Sequence, residues 1–349
     1  MKCLISVVMP AYGVEKWLES AACSVLGQTE RSLELILVDD CSPDKSGALC
    51  DKLAGDDARV SVVHLRENGG LSHARNEGLA RAAGKYVFFM DSDDVIEPNL
   101  LQRAVQAAEE AQADWLIFGA TEDHYDASGR LMLTRRIMPE PRVCRTQADK
   151  QAAVIALEGQ TLLGYAWNKL YRAGFLRENG LTFQSVELIE DILFNIECAR
   201  YAHVSVVLGE CGYHYARRVS GSLTGRVLEN YFELNSRRVS ALLALYDEWN
   251  AADDSVLDAL AAIYARYIVS ALERLYDPRR SLSAAGRRER ARRIREQPLY
   301  IRLRPHFYGA MGMIAGSSVL ALPAGWALHV MHAHLSGLFT RLRARTNKI

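Results

Sequence analysis

Four places in the sequence set acids or bases in arrangements that chemistry uses. Asp91-Ser92-Asp93 puts two carboxylates two residues apart, in a turn after the apolar run Tyr86–Met90. Hard divalent cations take oxygen ligands, and Mg²⁺ is held by one or two carboxylates while phosphate oxygens complete its shell. The spacing suits a metal shared with a diphosphate, although an acidic turn alone is a common feature. Asp39-Asp40-Cys41-Ser42 ends a second apolar run, Leu33–Val38. Glu190-Asp191 stands directly before Ile192, Leu193, Phe194 and Ile196, at the start of a helical pattern. A carboxylate there serves as a general base toward a hydroxyl, or equally as a helix cap favoured by the dipole. Arg75 offers a guanidinium that matches phosphate geometry; a solvated charge on a helix face is the alternative.

These residues need a scaffold, and the apolar periodicity supplies one. Leu4–Met9, Leu33–Val38, Val60–Leu65 and Tyr86–Met90 are short, continuously apolar runs, the pattern of strands covered on both faces. Helical patterns alternate with them at Val14–Leu26, Gly70–Ala83 and Pro98–Gln112. This alternation predicts a doubly wound α/β domain. Ligands of such sheets sit beyond the carboxyl ends of the strands. Pro10-Ala11-Tyr12, Asp39-Asp40 and Asp91-Ser92-Asp93 all fall at those ends. Neither G-x-G-x-x-G nor G-x-x-x-x-G-K-[ST] occurs, so dinucleotide and P-loop folds are unsupported.

Taken in order, four segments resemble the family 2 glycosyltransferases. They are Val7–Tyr12, Ile36–Ser42, Glu67–Gly78 and Gly84–Asp94. The likeness continues through Trp167-Asn168-Lys169-Leu170-Tyr171, Glu190–Asn195 and Tyr213-His214-Tyr215, to about residue 225. It implies the GT-A fold, an inverting transfer and a nucleotide-sugar donor. Carried over by position, Pro10, Ala11, Tyr12, Asp40, Asn68, Arg75 and Ser92 would bind the nucleotide, with Tyr12 against the base. Asp91 and Asp93 would hold Mn²⁺ or Mg²⁺, a Lewis acid for the leaving diphosphate. Asp191 would be the base. Trp167, Asn168, Lys169 and Glu190 would face the acceptor. His214 is a further metal ligand in this reading, and Arg217 steadies the departing phosphates. A lone histidine is more often packed or solvated, and Trp167 fits a core position as well. Gly13, Cys41 and Pro43 depart from the residues common in the family at those positions.

Composition sets the rest. The 349 residues are 49% hydrophobic and 24% charged, which excludes disordered, collagenous and disulfide-framework classes. Seven scattered cysteines without a C-x-x-C pair read as reduced thiols of a cytoplasmic protein, not as a zinc site. Net charge is zero, yet residues 1–220 hold 23 Lys/Arg against 31 Asp/Glu, and residues 221–349 hold 19 against 11. Residues 226–300 read as amphipathic helices followed by a polybasic one, Arg287–Arg295. Residues 301–349 read as basic, apolar C-terminal helices. Within them, 305–340 lacks Lys, Arg, Asp and Glu and is flanked by arginines on both sides. Length alone permits a span, but basic flanks at both ends suit peripheral attachment to an anionic, inner-face membrane better. A soluble helical subdomain or a homo-oligomer contact is the alternative. Nucleic acid is disfavoured, because aromatics are not interleaved with the arginines.

The expected activity is metal-dependent transfer of a hexosyl or N-acetylhexosaminyl group. The donor would be UDP-linked and the acceptor a hydroxyl on a surface polysaccharide or lipid-linked glycan. A sugar-1-phosphate nucleotidyltransferase would need a glycine-rich basic phosphate loop near the N-terminus, which is missing. A non-catalytic sugar-nucleotide or glycan-binding protein remains a third reading, separable by donor hydrolysis. No Q-x-x-R-W segment occurs, so long processive synthesis is not expected.

Overall fold

The computed structural model describes residues 3–218, 230–275 and 283–308. The chain divides into two compact units, Met1–Leu228 and Glu229–Ile349.

The first unit is built on a mixed eight-stranded sheet. Its leading half follows the alternation expected from the sequence: β1 (Ile5–Ala11), α1 (Leu18–Leu26), β2 (Leu33–Asp39), α2 (Ser46–Asp56), β3 (Val60–His64), α3 (Leu71–Arg81) and β4 (Tyr86–Phe89). β1 pairs in parallel with β2 and β4, and β2 with β3. Every residue of β1 and β4 is buried, as two-sided cover requires. α3 lies close on this sheet because Gly78 has no side chain: a Cβ there would stand 2.3 Å from Val8 Cγ1.

The chain continues through β5 (Val95–Ile96), α4 (Leu100–Ala111), β6 (Trp115–Phe118), β7 (Ala120–Tyr125), β8 (Leu131–Ile137), β9 (Arg142–Cys144) and α5 (Gln147–Gly159). Then come β10 (Lys169–Arg172), α6 (Ala173–Glu178), α7 (Glu190–Tyr201), β11 (Ser205–Leu208) and β12 (Tyr213–Arg217). The main sheet runs β3-β2-β1-β4-β10-β6-β11-β9, and a second sheet runs β5-β12-β7-β8. β10 lies antiparallel between β4 and β6, so the sheet is not parallel throughout. α4 starts at Leu100, later than its proline suggests, since the Pro98 carbonyl accepts from Thr29 N at 2.7 Å.

The second unit is helical. α8 (Tyr231–Glu248) buries Val239, Leu242, Leu243 and Tyr246, and packs on α9 (Asp254–Arg274), which buries Leu260, Tyr264 and Ile268. α10 (Ala284–Glu296) and α11 (Pro298–Leu303) follow, with a 3₁₀ turn at Arg304–His306. Arg302 forms a fork on Asp247 at 2.6 and 2.5 Å, and His306 meets Asp258 at 2.7 Å. Among the described residues one helix, Asp254–Leu272, is long and apolar enough to cross a membrane, and 56% of that window is buried. The 305–340 segment singled out above lies outside the described residues from 309 onward.

Candidate active site

The end of β4 and the start of α7 meet around a single arginine. Arg75, one turn into α3, is 1% exposed. Its Nη2 donates to Asp91 Oδ1 at 3.0 Å, just beyond β4. Its Nη1 donates to Asp191 Oδ1 and stands 3.9 Å from Glu190 Oε1, both in the first turn of α7. The Phe183 ring lies 5.3 Å from the guanidinium carbon. Asp91, Glu190 and Asp191, 100 residues apart in sequence at the widest, are therefore one electrostatic group. Arg75 is its buried cation rather than a solvated charge.

The group is strained toward neutrality. Burial pushes the Asp91 carboxyl up to about 6, with Asp191 and Asp93 adding to the shift against Arg75. Burial likewise takes Glu190 up to about 7, Asp191 adding and Arg75 opposing. Glu190 Oε2 is buried without a hydrogen-bond partner. Such pressure on crowded carboxylates marks functional sites.

Asp191 does not cap its helix. Ile189 holds the cap position and gives no side-chain bond. The Asp191 side chain instead accepts from Arg75 and, at 2.9 Å, from Ala166 N. Both donors hold the carboxylate in one orientation.

Two props that sequence reasoning missed hold the acidic turn. Asp94, 1% exposed, accepts from the Tyr213 hydroxyl and from Ala216 N, each at 2.8 Å. The same hydroxyl accepts from Asp91 N at 3.2 Å. Arg218 donates to Asp93 Oδ2 and to the Asp93 carbonyl, each at 2.8 Å, and stacks over Trp17. Ser92 is buried between the two acids. Asp91 and Asp93 each engage a cation through one oxygen. No group of three or more His, Cys, Asp or Glu able to hold a metal occurs among the described residues. The donor set therefore fits a hard divalent cation held by two carboxylates at most, with the remaining ligands supplied by substrate oxygens.

Among the residues expected to bind nucleotide, Pro10 and Ala11 are buried and Tyr12 is 49% exposed at the end of β1. Asp40 is buried, and its two oxygens accept from Gly69 N at 2.7 Å and Gly70 N at 2.9 Å. It thereby ties the exposed Asn68 loop to the β2 end. Asp39 bonds Ser42 N at 3.0 Å and His64 Nδ1 at 2.9 Å. Burial would raise its carboxyl, but these bonds hold it below the ordinary value.

Several acceptor-side expectations need correction. Asn168 and Lys169 are fully buried. The Asn168 amide donates to Phe118 O at 2.8 Å and Leu162 O at 3.1 Å. Lys169 Nζ donates to Leu162 O at 2.9 Å, Asn168 Oδ1 at 2.7 Å and Tyr165 O. These two residues shape the loop carrying Ala166 instead of facing an acceptor. Trp167 is also core, stacked on Tyr213 at 4.3 Å and on Tyr165 at 4.5 Å. Strand alternation explains His214: Tyr213 and Tyr215 face the Trp167 stack, so His214 turns the other way. Its Nδ1 meets Asp123 at 2.7 Å, in the second sheet, and not Asp91 or Asp93. Arg217 lies on Tyr215 and 3.5 Å from Glu122, leaving Arg218 as the arginine at the acidic turn.

Comparison with known proteins places the chain in a family. Residues 6–178 match the family model described as Glycosyl transferase family 2. The glycosyltransferase EpsJ of Bacillus subtilis is 35% identical over 225 residues, 63% of this chain and 63% of EpsJ, so the match spans under two thirds of that protein. EpsH of the same organism, also named as a glycosyltransferase, is 30% identical over 253 residues, 71% of this chain and 68% of EpsH. The crystal structure of S. aureus TarS 1–349 with UDP-GlcNAc superposes with a TM-score of 0.57 at 22% identity, over 91% of this chain and 82% of that one. That likeness gives the fold as GT-A. Sequence relationship and fold agree, and the chain belongs to glycosyltransferase family 2.

Proposed function

We propose that this chain is a metal-dependent, inverting glycosyltransferase. In this reading it moves a hexosyl or N-acetylhexosaminyl group from a UDP-linked donor to a hydroxyl of a surface polysaccharide or lipid-linked glycan. The observation that carries the reading is the convergence of Asp91, Glu190 and Asp191 on buried Arg75. Three carboxylates crowded around one buried cation, one beyond the end of β4 and two at the start of α7, are the kind of charge cluster that functional sites build.

Asp191 takes the proton of the acceptor hydroxyl, whose oxygen attacks the anomeric carbon from the side opposite the diphosphate. Bonds from Arg75 and Ala166 N fix its carboxylate for that approach. Tyr12 offers an exposed ring to the base, and Asn68 lies exposed beside the same rim. Asp91 and Asp93 would hold Mn²⁺ or Mg²⁺, which supplies Lewis-acid stabilisation of the leaving nucleotide diphosphate. Arg75 and Arg218 keep both carboxylates oriented.

The acceptor class draws support from relatives. TarS, 27% identical over 220 residues, is named a poly(ribitol-phosphate) β-N-acetylglucosaminyltransferase. Seven free cysteines and a basic C-terminal region support work at the cytoplasmic face of an anionic membrane. A panel of nucleotide sugars incubated with Mn²⁺ tests the proposal. Slow, metal-dependent hydrolysis of a UDP-sugar is the expected result. Absence of hydrolysis and transfer with every donor would leave only a binding protein.

A further inference from the structure

The basic residues of the second unit are not equivalent. On α10, Glu289 takes both Arg292, at 2.8 Å, and Arg293, at 3.0 Å. Arg302 on α11 is taken by Asp247. Arg295 and Arg304 differ, since neither pairs with a carboxylate among the described residues. Both line a pocket of about 400 Å³ together with Tyr300, Ile301 and Pro305. Tyr300 is 3% exposed, and Ile301 on the same wall is 62% exposed. Burial raises the Tyr300 phenol, while both guanidinium groups lie near enough to oppose that shift.

We propose that this pocket binds a phosphate ester, with Arg295 and Arg304 gripping the phosphate oxygens and Ile301 meeting the ester's carbon portion. Two guanidinium forks offer more donors than one carboxylate can accept, whereas a phosphate presents three or four oxygens. The volume exceeds that of a bare ion and suits an ester group held beside it. A lipid headgroup and a soluble phosphate ester share this chemistry. The proposal uses residues of the second unit alone, so it stands apart from the transfer reaction.

The test compares two charge-matched variants of the full chain, Arg295→Gln/Arg304→Gln and Arg292→Gln/Arg293→Gln. Sedimentation with phosphatidylcholine vesicles containing one-third phosphatidylglycerol is the first probe. Calorimetric titration with glycerol 3-phosphate is the second. At about fivefold per basic residue near an anionic surface, the first variant loses about 25-fold in affinity and the second less than threefold. A loss confined to vesicles assigns a lipid headgroup; a loss with glycerol 3-phosphate assigns a soluble ester. Equal losses in both variants, no loss in either, or no binding by the wild type overturns the pocket. Should the glutamine pair fail to fold, Arg295→Lys/Arg304→Lys keeps the charge but removes the forks, and weaker glycerol 3-phosphate binding than wild type is then expected. Undiminished binding of both probes in the lysine pair counts against the pocket as well.

Discussion

Replacing Arg75 with glutamine measures how far the acidic cluster depends on its single buried cation. Arg75 is 1% exposed, 3.0 Å from Asp91 and 3.9 Å from Glu190, and it also holds Asp191. Removing one partner of a buried ion pair costs about 3–5 kcal/mol, because the remaining charge is left uncompensated. In a domain of about 150–250 residues, 1 kcal/mol moves Tm by about 2–4 °C. Arg75→Gln should therefore melt about 6–20 °C below wild type at pH 8. Its pH dependence carries a sign. Asp91 and Glu190 are raised to about 6 and about 7, from ordinary values of 3.8 and 4.5. An acid raised in the folded state binds its proton more tightly there than in the unfolded chain. Lowering the pH from 8 through 7 and 6 therefore stabilises the fold. Without Arg75 both shifts grow, so protonation relieves the variant more than the wild type. The Tm deficit should at least halve at pH 5.5. His64, raised by its bonds to Asp51 and Asp39, also favours low pH, but equally in both proteins. Scanning calorimetry in EDTA at both pH values decides the matter. A deficit below about 1 kcal/mol at pH 8, or one unchanged at pH 5.5, refutes the coupling.

Three further outcomes follow from individual contacts. Asp93→Ala should weaken Mn²⁺-dependent UDP binding at least tenfold by calorimetric titration, leaving the metal-free affinity little changed; equal affinities in Mn²⁺ would remove Asp93 from the metal site. Lys169→Met removes the charged donor that the Leu162 and Tyr165 carbonyls share with the Asn168 and Asn195 amides, and it leaves the buried Asn168 Oδ1 without its donor, which costs about 1–3 kcal/mol for that group. Because that loop carries Ala166, kcat should fall more than the UDP affinity, and a pure KM effect would contradict the positioning role. Tyr12→Ala should weaken UDP about tenfold, the scale of a lost aromatic stack on a base, and unchanged affinity in a fluorescence titration would place the base elsewhere.

Strand-length apolar runs made the leading half of the sheet legible, because two-sided burial leaves an unbroken pattern in β1, β2 and β4. α2 left no such pattern: it buries only Ser46, Cys50 and Leu53 and contains two glycines. β10 hid inside Trp167-Asn168-Lys169-Leu170-Tyr171, whose polar residues suggested a surface. Nothing local announces that Asn168 and Lys169 bond inward, to carbonyls as far as 50 and 7 residues away. Acids at strand ends were readable from type and position. Their shared cation was harder to place, since Arg75 looked equally suited to phosphate. Arg218 and Arg217 are adjacent, and only strand alternation beyond Tyr215 separates their directions. Cys41 shows the reverse case: it stands where the family commonly has glycine, and its φ of 56° is the left-handed conformation that glycine adopts freely.

Turnover and nucleotide affinity of Asp191→Asn, measured on the same protein preparation, test the central claim most directly. Asparagine keeps the shape and can still accept from Ala166 N, but it cannot take a proton from an acceptor hydroxyl. Transfer should fall by about 10²–10⁴ while UDP affinity stays within a factor of about two. Wild-type turnover in this variant would show that the carboxylate gathered by Arg75 is not the base.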